Sequence, residues 1–247
     1  MVGTGQGVAQ ALWKYFGCCR LPVVPEGAGA GQGVEPLPLF AAARGEVVLD
    51  NSRVHVQRMV LLPGMTTGAP VHHGDVLEVF IRGGVLRSAA TGRATLWKDG
   101  RVAWHGAPRR GDTGRVNAGT GPIELIWVWV KPVPESPATG VPKFAYLDYP
   151  GIPGEDLLEN ELVIVQRFLV AAGQWEGVHA HHPDMLYIHV RGGQWAARSY
   201  TEPERAYDEP ARDGEVGWMP TIDITVGHES GNIGPEAIDL IWVTLKR

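Results

Sequence analysis

The chain has 247 residues, is 44% hydrophobic and 20% charged, and carries a formal net charge of −5. That is the balance of an ordinary soluble globular protein, and its scattered Lys and Arg residues argue against a nucleic-acid or anionic-membrane partner. The two cysteines, Cys18 and Cys19, are adjacent and suit neither a disulfide framework nor a zinc site, so a reducing, cytoplasmic compartment is the expectation.

Residues 1–45 read as a glycine-rich arm in which 9–16 could form a short helix at most. Gly3, Gly5 and Gly7, then Gly27, Gly29, Gly31 and Gly33, superficially suggest a dinucleotide loop, but no strand precedes them and no βαβ unit follows. The start lacks the charged and apolar regions of a secretory signal, and no stretch reaches the length of a membrane span. Residues 46–132 form a first unit, with strands expected at 54–62, 76–81 and 123–130. Residues 133–159 read as a linker punctuated by Pro134, Pro137, Pro142, Pro150 and Pro153; its Phe144, Tyr146 and Tyr149 imply that it packs across a barrel. Residues 160–247 form a second unit, with strands at 162–171, 185–190 and 238–245. In both units the second of these strands runs into Arg-Gly-Gly, read as a tight turn needing positive φ.

The two units are copies. Val56-Gln57-Arg58, Gly64, His72-His73, Asp75, Leu77 and Arg82-Gly83-Gly84 recur at one constant offset as Val165-Gln166-Arg167, Gly173, His181-His182, Asp184, Leu186 and Arg191-Gly192-Gly193. With a small drift, Asp99-Gly100, Trp104, Asn117 and 125–128 recur as Asp213-Gly214, Trp218, Asn232 and 240–243. Ordered matches over most of each unit mean duplication of one fold, and the many short strands and turns make it all-β.

The chemistry concentrates in the second copy. Gly173 is followed after five residues by His179-x-His181; Met185 and Gly192 come next, and five residues separate Gly214 from Pro220, with His228 and Asn232 beyond. In an extended strand, residues two apart face one side, so His179 and His181 aim together, and a cluster of imidazoles suits a first-row metal ion. Tyr187, His189 and Met185 alternate on the next strand toward the same interior. Trp175 and Trp195 have no counterpart in the first copy and are pocket candidates with His189 and Met185. Trp104, Trp127, Trp218 and Trp242 recur in both copies and read as core.

These motifs resemble those of the cupin superfamily, with methionine at the position of the motif's glutamate and three extra residues between Pro220 and His228; strict spacing would put Ile224 or Thr225 at the third histidine position. The resemblance implies two tandem antiparallel jelly-roll barrels, a bicupin, and a divalent transition metal held by His179, His181 and His228, with Fe(II) favoured and Mn, Ni, Cu or Zn open. Ligation without a carboxylate is similar to the three-histidine cupin dioxygenases, which implies a dioxygenase acting on a small organic molecule. Small cupin lyases use a tyrosine base where Tyr187 stands, so a metal-assisted isomerase, cyclase or lyase is an alternative, as is a non-catalytic binding or structural bicupin. In the first copy Pro70 replaces the first histidine. His72, Glu78 and His105 could form only a weak site there, and a barrel that has lost its metal is the preferred reading. The expected partner is a small-molecule substrate, with a homodimer through barrel edges left open.

Overall fold

The computed structural model describes residues 39–43, 45–72, 74–108, 111–132, 146–200 and 202–246, with the side chains of 202–209 excepted. The expected short helix at 9–16, the arm's glycine runs, both cysteines and Phe144 lie outside these residues. No helix of the described residues is long and apolar enough to cross a membrane.

The first copy contains β1 (Glu46–Asp50), β2 (Val54–Leu61), β3 (Val76–Arg82), β4 (Gly84–Ser88), β5 (Ala94–Trp97), β6 (Val102–His105), β7 (Arg115–Asn117) and β8 (Ile123–Val130). The second repeats them as β9 (Glu155–Glu159), β10 (Val163–Val170), β11 (Met185–Arg191), β12 (Gly193–Ser199), β13 (Glu202–Ala211), β14 (Val216–Met219), β15 (His228–Asn232) and β16 (Ile238–Leu245). One five-stranded sheet runs β1-β2-β8-β3-β6 and its counterpart β9-β10-β16-β11-β14; the smaller sheets run β5-β4-β7 and β13-β12-β15. All these pairings are antiparallel, so each copy is a two-sheet jelly-roll barrel with the same strand order. Strand β9 lies inside the stretch read as linker and pairs with β10, just as β1 pairs with β2.

The apolar runs are near-continuous because both faces of the large sheets are buried. Along β8, Ile123, Leu125 and Trp127 point into the first barrel, whereas Ile126 and Val128 point out of it. The outward set meets its counterpart from the second barrel, including Val165, Leu186, Ile188, Ile241 and Val243, in one shared core. The second barrel's interior holds Phe168, Met185, Tyr187, Leu240 and Trp242, with Leu147, Tyr149 and Ile152 contributed from before β9. At about 1.5–3 kcal/mol for each large apolar side chain removed from water, the shared core is a main reason the two barrels stay together.

Reciprocal contacts flank that core. Arg58 pairs with Glu124 in the first barrel and Arg167 with Asp239 in the second. Gly214 of the second barrel packs on the Arg58–Glu124 pair, and Gly100 of the first packs on Arg167. The recurring Asp-Gly therefore serves the joint between the copies. Its aspartate also braces the sheet crossing within each copy. Asp99 accepts from the Gly83 amide at 2.7 Å, and Asp213 from the Gly192 amide at 2.9 Å.

Arg-Gly-Gly is not the positive-φ turn expected from its sequence. None of Gly83, Gly84, Gly192 and Gly193 has positive φ. Strand β3 passes almost directly into β4, and β11 into β12, as the chain crosses from the large sheet to the small one. Glycine is required by close approach: a Cβ on Gly83 would collide with the carbonyl of Trp97, and one on Gly192 with that of Ala211.

Candidate metal centre

The segment between β10 and β11 lies beside β15. The Glu176 amide donates to the Ser230 carbonyl at 2.8 Å and the His179 amide to the His228 carbonyl at 3.1 Å; His181 exchanges backbone bonds with Ile222. Pairing of this kind fixes an extended path, and the two-residue spacing then brings the Nε2 atoms of His179 and His181 to 2.9 Å. His228 faces them from β15, and the possible ligand atoms of the three lie within 4.8 Å of one another, all three residues being buried.

The three extra residues before His228 are absorbed as a single 3-10 turn, Ile224–Val226, capped by Asp223 and closed by Gly227. Ile224 is exposed, so neither it nor Thr225 replaces the histidine; the insertion bulges outward and leaves His228 inside.

Burial keeps the imidazoles neutral. It lowers His179 to about 4 and His228 to about 3, and holds His181 well below the ordinary range with help from the neighbouring histidines. The Nδ1 of His179 donates to the Gly177 carbonyl at 2.8 Å, which leaves its Nε2 as a bare lone pair facing His181. Neutral imidazoles with converging nitrogens, one oriented by a backbone carbonyl, fit a divalent first-row ion.

Three further groups complete the surroundings, and reasoning from sequence does not mark them as site residues. Glu176 is fully buried with Oε2 3.8 Å from Nε2 of His179. Burial pushes its carboxyl well above the usual carboxylate range, although Tyr149 and Ser230 beside it pull the other way. Tyr149 lies with its ring 4.5 Å from that of His179, and burial next to Glu176 raises its hydroxyl as well. Trp242 lies 4.9 Å from the His181 ring. The Tyr149 hydroxyl, both Glu176 oxygens, Nδ1 of His181 and Nε1 of Trp242 are buried without a hydrogen bond of normal geometry. Buried polar atoms without well-formed hydrogen bonds are rare, and a bound ion, ligand or water would satisfy these.

No protein-family model matches the chain, and no curated protein does. Solved structures do. Bacillus subtilis oxalate decarboxylase, described for its Mn(II) centres, aligns at 14% identity and a TM-score of 0.53 over 85% of this chain and 74% of its own. AerE from Microcystis aeruginosa aligns at 11% identity and 0.51, over 85% of this chain and 99% of its own. YhaK from Escherichia coli aligns at 14% identity and 0.50, over 81% and 88%. The chain has a tandem cupin fold.

Of the other residues singled out in the second cupin barrel, Met185 and Tyr187 point into its core, Tyr187 with its ring 5.6 Å from Trp242. His189 is buried deeper along β11, between Tyr187 and Trp195, at 5.5 and 6.1 Å between ring centroids. Trp175 is engaged elsewhere: the Arg198 guanidinium lies 3.7 Å over its ring and is itself tied to Glu229.

The first cupin barrel takes a different course. Glu78 is fully buried and receives both terminal nitrogens of Arg115, while Nε2 of His105 stands 3.0 Å from its Oε2. Burial pushes this carboxyl up, but Arg115 and His105 outweigh it and hold it below the ordinary range. Arg115 and His105 both pack on Trp127, the counterpart of Trp242. The weak site expected from His72, Glu78 and His105 is thus not assembled: Glu78 is committed to a guanidinium, and His72 turns its Nδ1 to the Gly74 carbonyl. Among the described residues, no metal-ligand group forms in this barrel.

Proposed function

We propose that the protein is a metal-dependent enzyme acting on a small organic molecule in the second barrel, with dioxygen as co-substrate. The observation that carries the reading is the buried triad of neutral imidazoles, His179, His181 and His228. A divalent ion there, Fe(II) by preference, would polarise a bound molecule and bring dioxygen to it. The chain's own groups do the rest. His179 is oriented by Gly177, and Trp242 offers a hydrogen-bonding group to a ligand inside the barrel. The Mn(II) centres named for the oxalate decarboxylase that shares the fold also support a metal here.

Metal analysis of the purified protein tests this. One equivalent of metal, lost in the His179→Ala/His181→Ala variant, is expected. A wild-type protein that holds no metal after anaerobic reconstitution would leave a binding or structural role. Metal-assisted isomerisation or elimination with Tyr187 as base is a second reading, favoured by the position of its ring against Trp242 in the same interior. Oxygen consumption with turnover distinguishes the first reading from it.

A further inference from the structure

The duplication supplies an internal control for every buried residue. At the repeat offset, Glu176 stands where the first barrel has Thr67, Tyr149 where it has Phe40, and His179 where it has Pro70. Thr67 is buried and satisfied: its hydroxyl donates to the Gly68 carbonyl at 2.9 Å and accepts from the Arg115 amide at 3.0 Å. Phe40 packs edge-on to Trp127 at 4.2 Å. The same barrel therefore closes well around a short hydroxyl and a hydrocarbon ring. In the second barrel a carboxyl and a phenol are buried at these places without well-formed hydrogen bonds. Burial of that kind costs stability, and the first barrel shows that the fold does not require it.

We propose that Glu176 is the fourth protein ligand of the metal, a carboxylate delivered from the loop ahead of the histidine pair in place of the one missing at Met185. The inference rests on the reading of the triad as a metal site. Donor atoms that each stand about 2.1 Å from one ion are about 3.0 Å apart when adjacent and about 4.2 Å apart when opposite. The His179–His181 separation of 2.9 Å matches the first, and the Glu176–His179 separation of 3.8 Å lies between the two. Glu176 lies just outside the group whose ligand atoms come within 4.8 Å of one another, so ligation requires a side-chain torsion that brings its carboxylate in toward all three histidines. Met185 cannot substitute: it is fully buried among the apolar residues of the barrel. Three imidazoles bring no charge, whereas a carboxylate offsets half the charge of a buried dication. An oxygen donor among nitrogens also favours Fe(II) or Mn(II) over softer ions. Tyr149 is then a positioning residue that holds the carboxylate. Four protein ligands would still leave a six-coordinate ion room for substrate and dioxygen.

The test uses the full chain, Co(II) as probe, and three variants: Glu176→Thr, which installs the sister barrel's residue, Glu176→Gln, and His179→Ala/His181→Ala. Affinity is read by chelator competition, the ligand field by the visible spectrum of the Co(II) form, and folding by melting of the metal-free protein. We expect both Glu176 variants to lose at least about tenfold in Co(II) affinity and to shift the spectrum. Metal-free Glu176→Thr should melt no lower than wild type, because the carboxyl it removes is buried without a hydrogen bond of normal geometry. Wild-type affinity and an unchanged spectrum in both Glu176 variants, with binding abolished in the double-histidine variant, would overturn this inference and leave the metal site standing. A lower metal-free melting temperature with an unchanged spectrum would assign Glu176 to structure and overturn it too. Failure of wild type to bind Co(II) would remove the metal reading and the inference together.

Discussion

Replacing His189 with phenylalanine should flatten the pH dependence of stability. His189 is buried inside the second barrel, and burial lowers it to about 4 from an ordinary value of 6.5. The unfolded chain takes up a proton here as pH falls below 6.5, while the folded chain stays neutral until about 4. Stability from this group is therefore complete above 6.5 and is lost progressively as pH falls toward the folded value. Between about pH 7.5 and about pH 5 the loss integrates to about 2 kcal/mol, a sizeable share of the roughly 5–15 kcal/mol that holds a typical domain.

Phenylalanine is the natural replacement, because Phe80 stands at the same repeat position in the first barrel and is fully buried there. Urea unfolding of the metal-free protein across this range should show the variant losing about 2 kcal/mol less than wild type on acidification. His179, His181, His228 and Glu176 titrate in both proteins and cancel in the difference, since His189 makes its ring contacts with Tyr187 and Trp195. Parallel curves for the two proteins would refute the reasoning and show that His189 takes up its proton while folded.

Two other expectations concern the scaffold. Arg115→Met strands the buried Glu78 carboxylate with His105 alone and should cost about 3–5 kcal/mol in urea unfolding, most of it recovered by adding Glu78→Gln; a loss below about 1 kcal/mol would mean that water reaches Glu78. Gly192→Ala should destabilise more than Gly173→Ala, because its Cβ meets the Ala211 carbonyl while Gly173 carries only a positive φ in open space; the second should cost about 1–2 kcal/mol, and equal melting temperatures would contradict the close-approach account.

The fold is legible in the sequence because duplication repeats its marks. Strands β2, β8, β10 and β16 stand out as apolar runs at matching positions, and His179 and His181 stand out by their spacing. What stays hidden has physical causes. His228 lies off the expected spacing because three residues coil into an outward turn that no periodicity marks. Trp242 reads as core because it recurs as Trp127, yet recurrence excludes a site only if both copies put the same neighbours around the ring; His181 meets one, Arg115 and His105 the other. Glu176 sits in the unspecified gap of a motif, and Tyr149 arrives from a proline-rich stretch whose docking depends on Gln166 gripping the Leu147 backbone, a long-range contact. Glu176 and Tyr149 are flagged by asking where the second copy buries an ionisable group that the first replaces with Thr67 or Phe40.

The same comparison suggests why one chain keeps both barrels. Each interior contains a buried carboxyl, and a buried carboxylate needs a cation. In the first barrel the chain provides it: Arg115 reaches from β7 to Glu78, and the space over Trp127 is filled by its guanidinium and by His105. In the second barrel, Ser230 occupies the position of Arg115 in the repeat, and the wall of β15 presents His228 in place of a guanidinium. Among the described residues no Lys or Arg side chain is hydrogen-bonded to Glu176, which leaves that role open to the proposed metal ion. The first barrel balances its buried charge with its own residues, and its outward face supplies part of the shared core. On the proposed reading, the first barrel is a permanently filled partner whose packing lets its twin tolerate polar groups buried for a metal site.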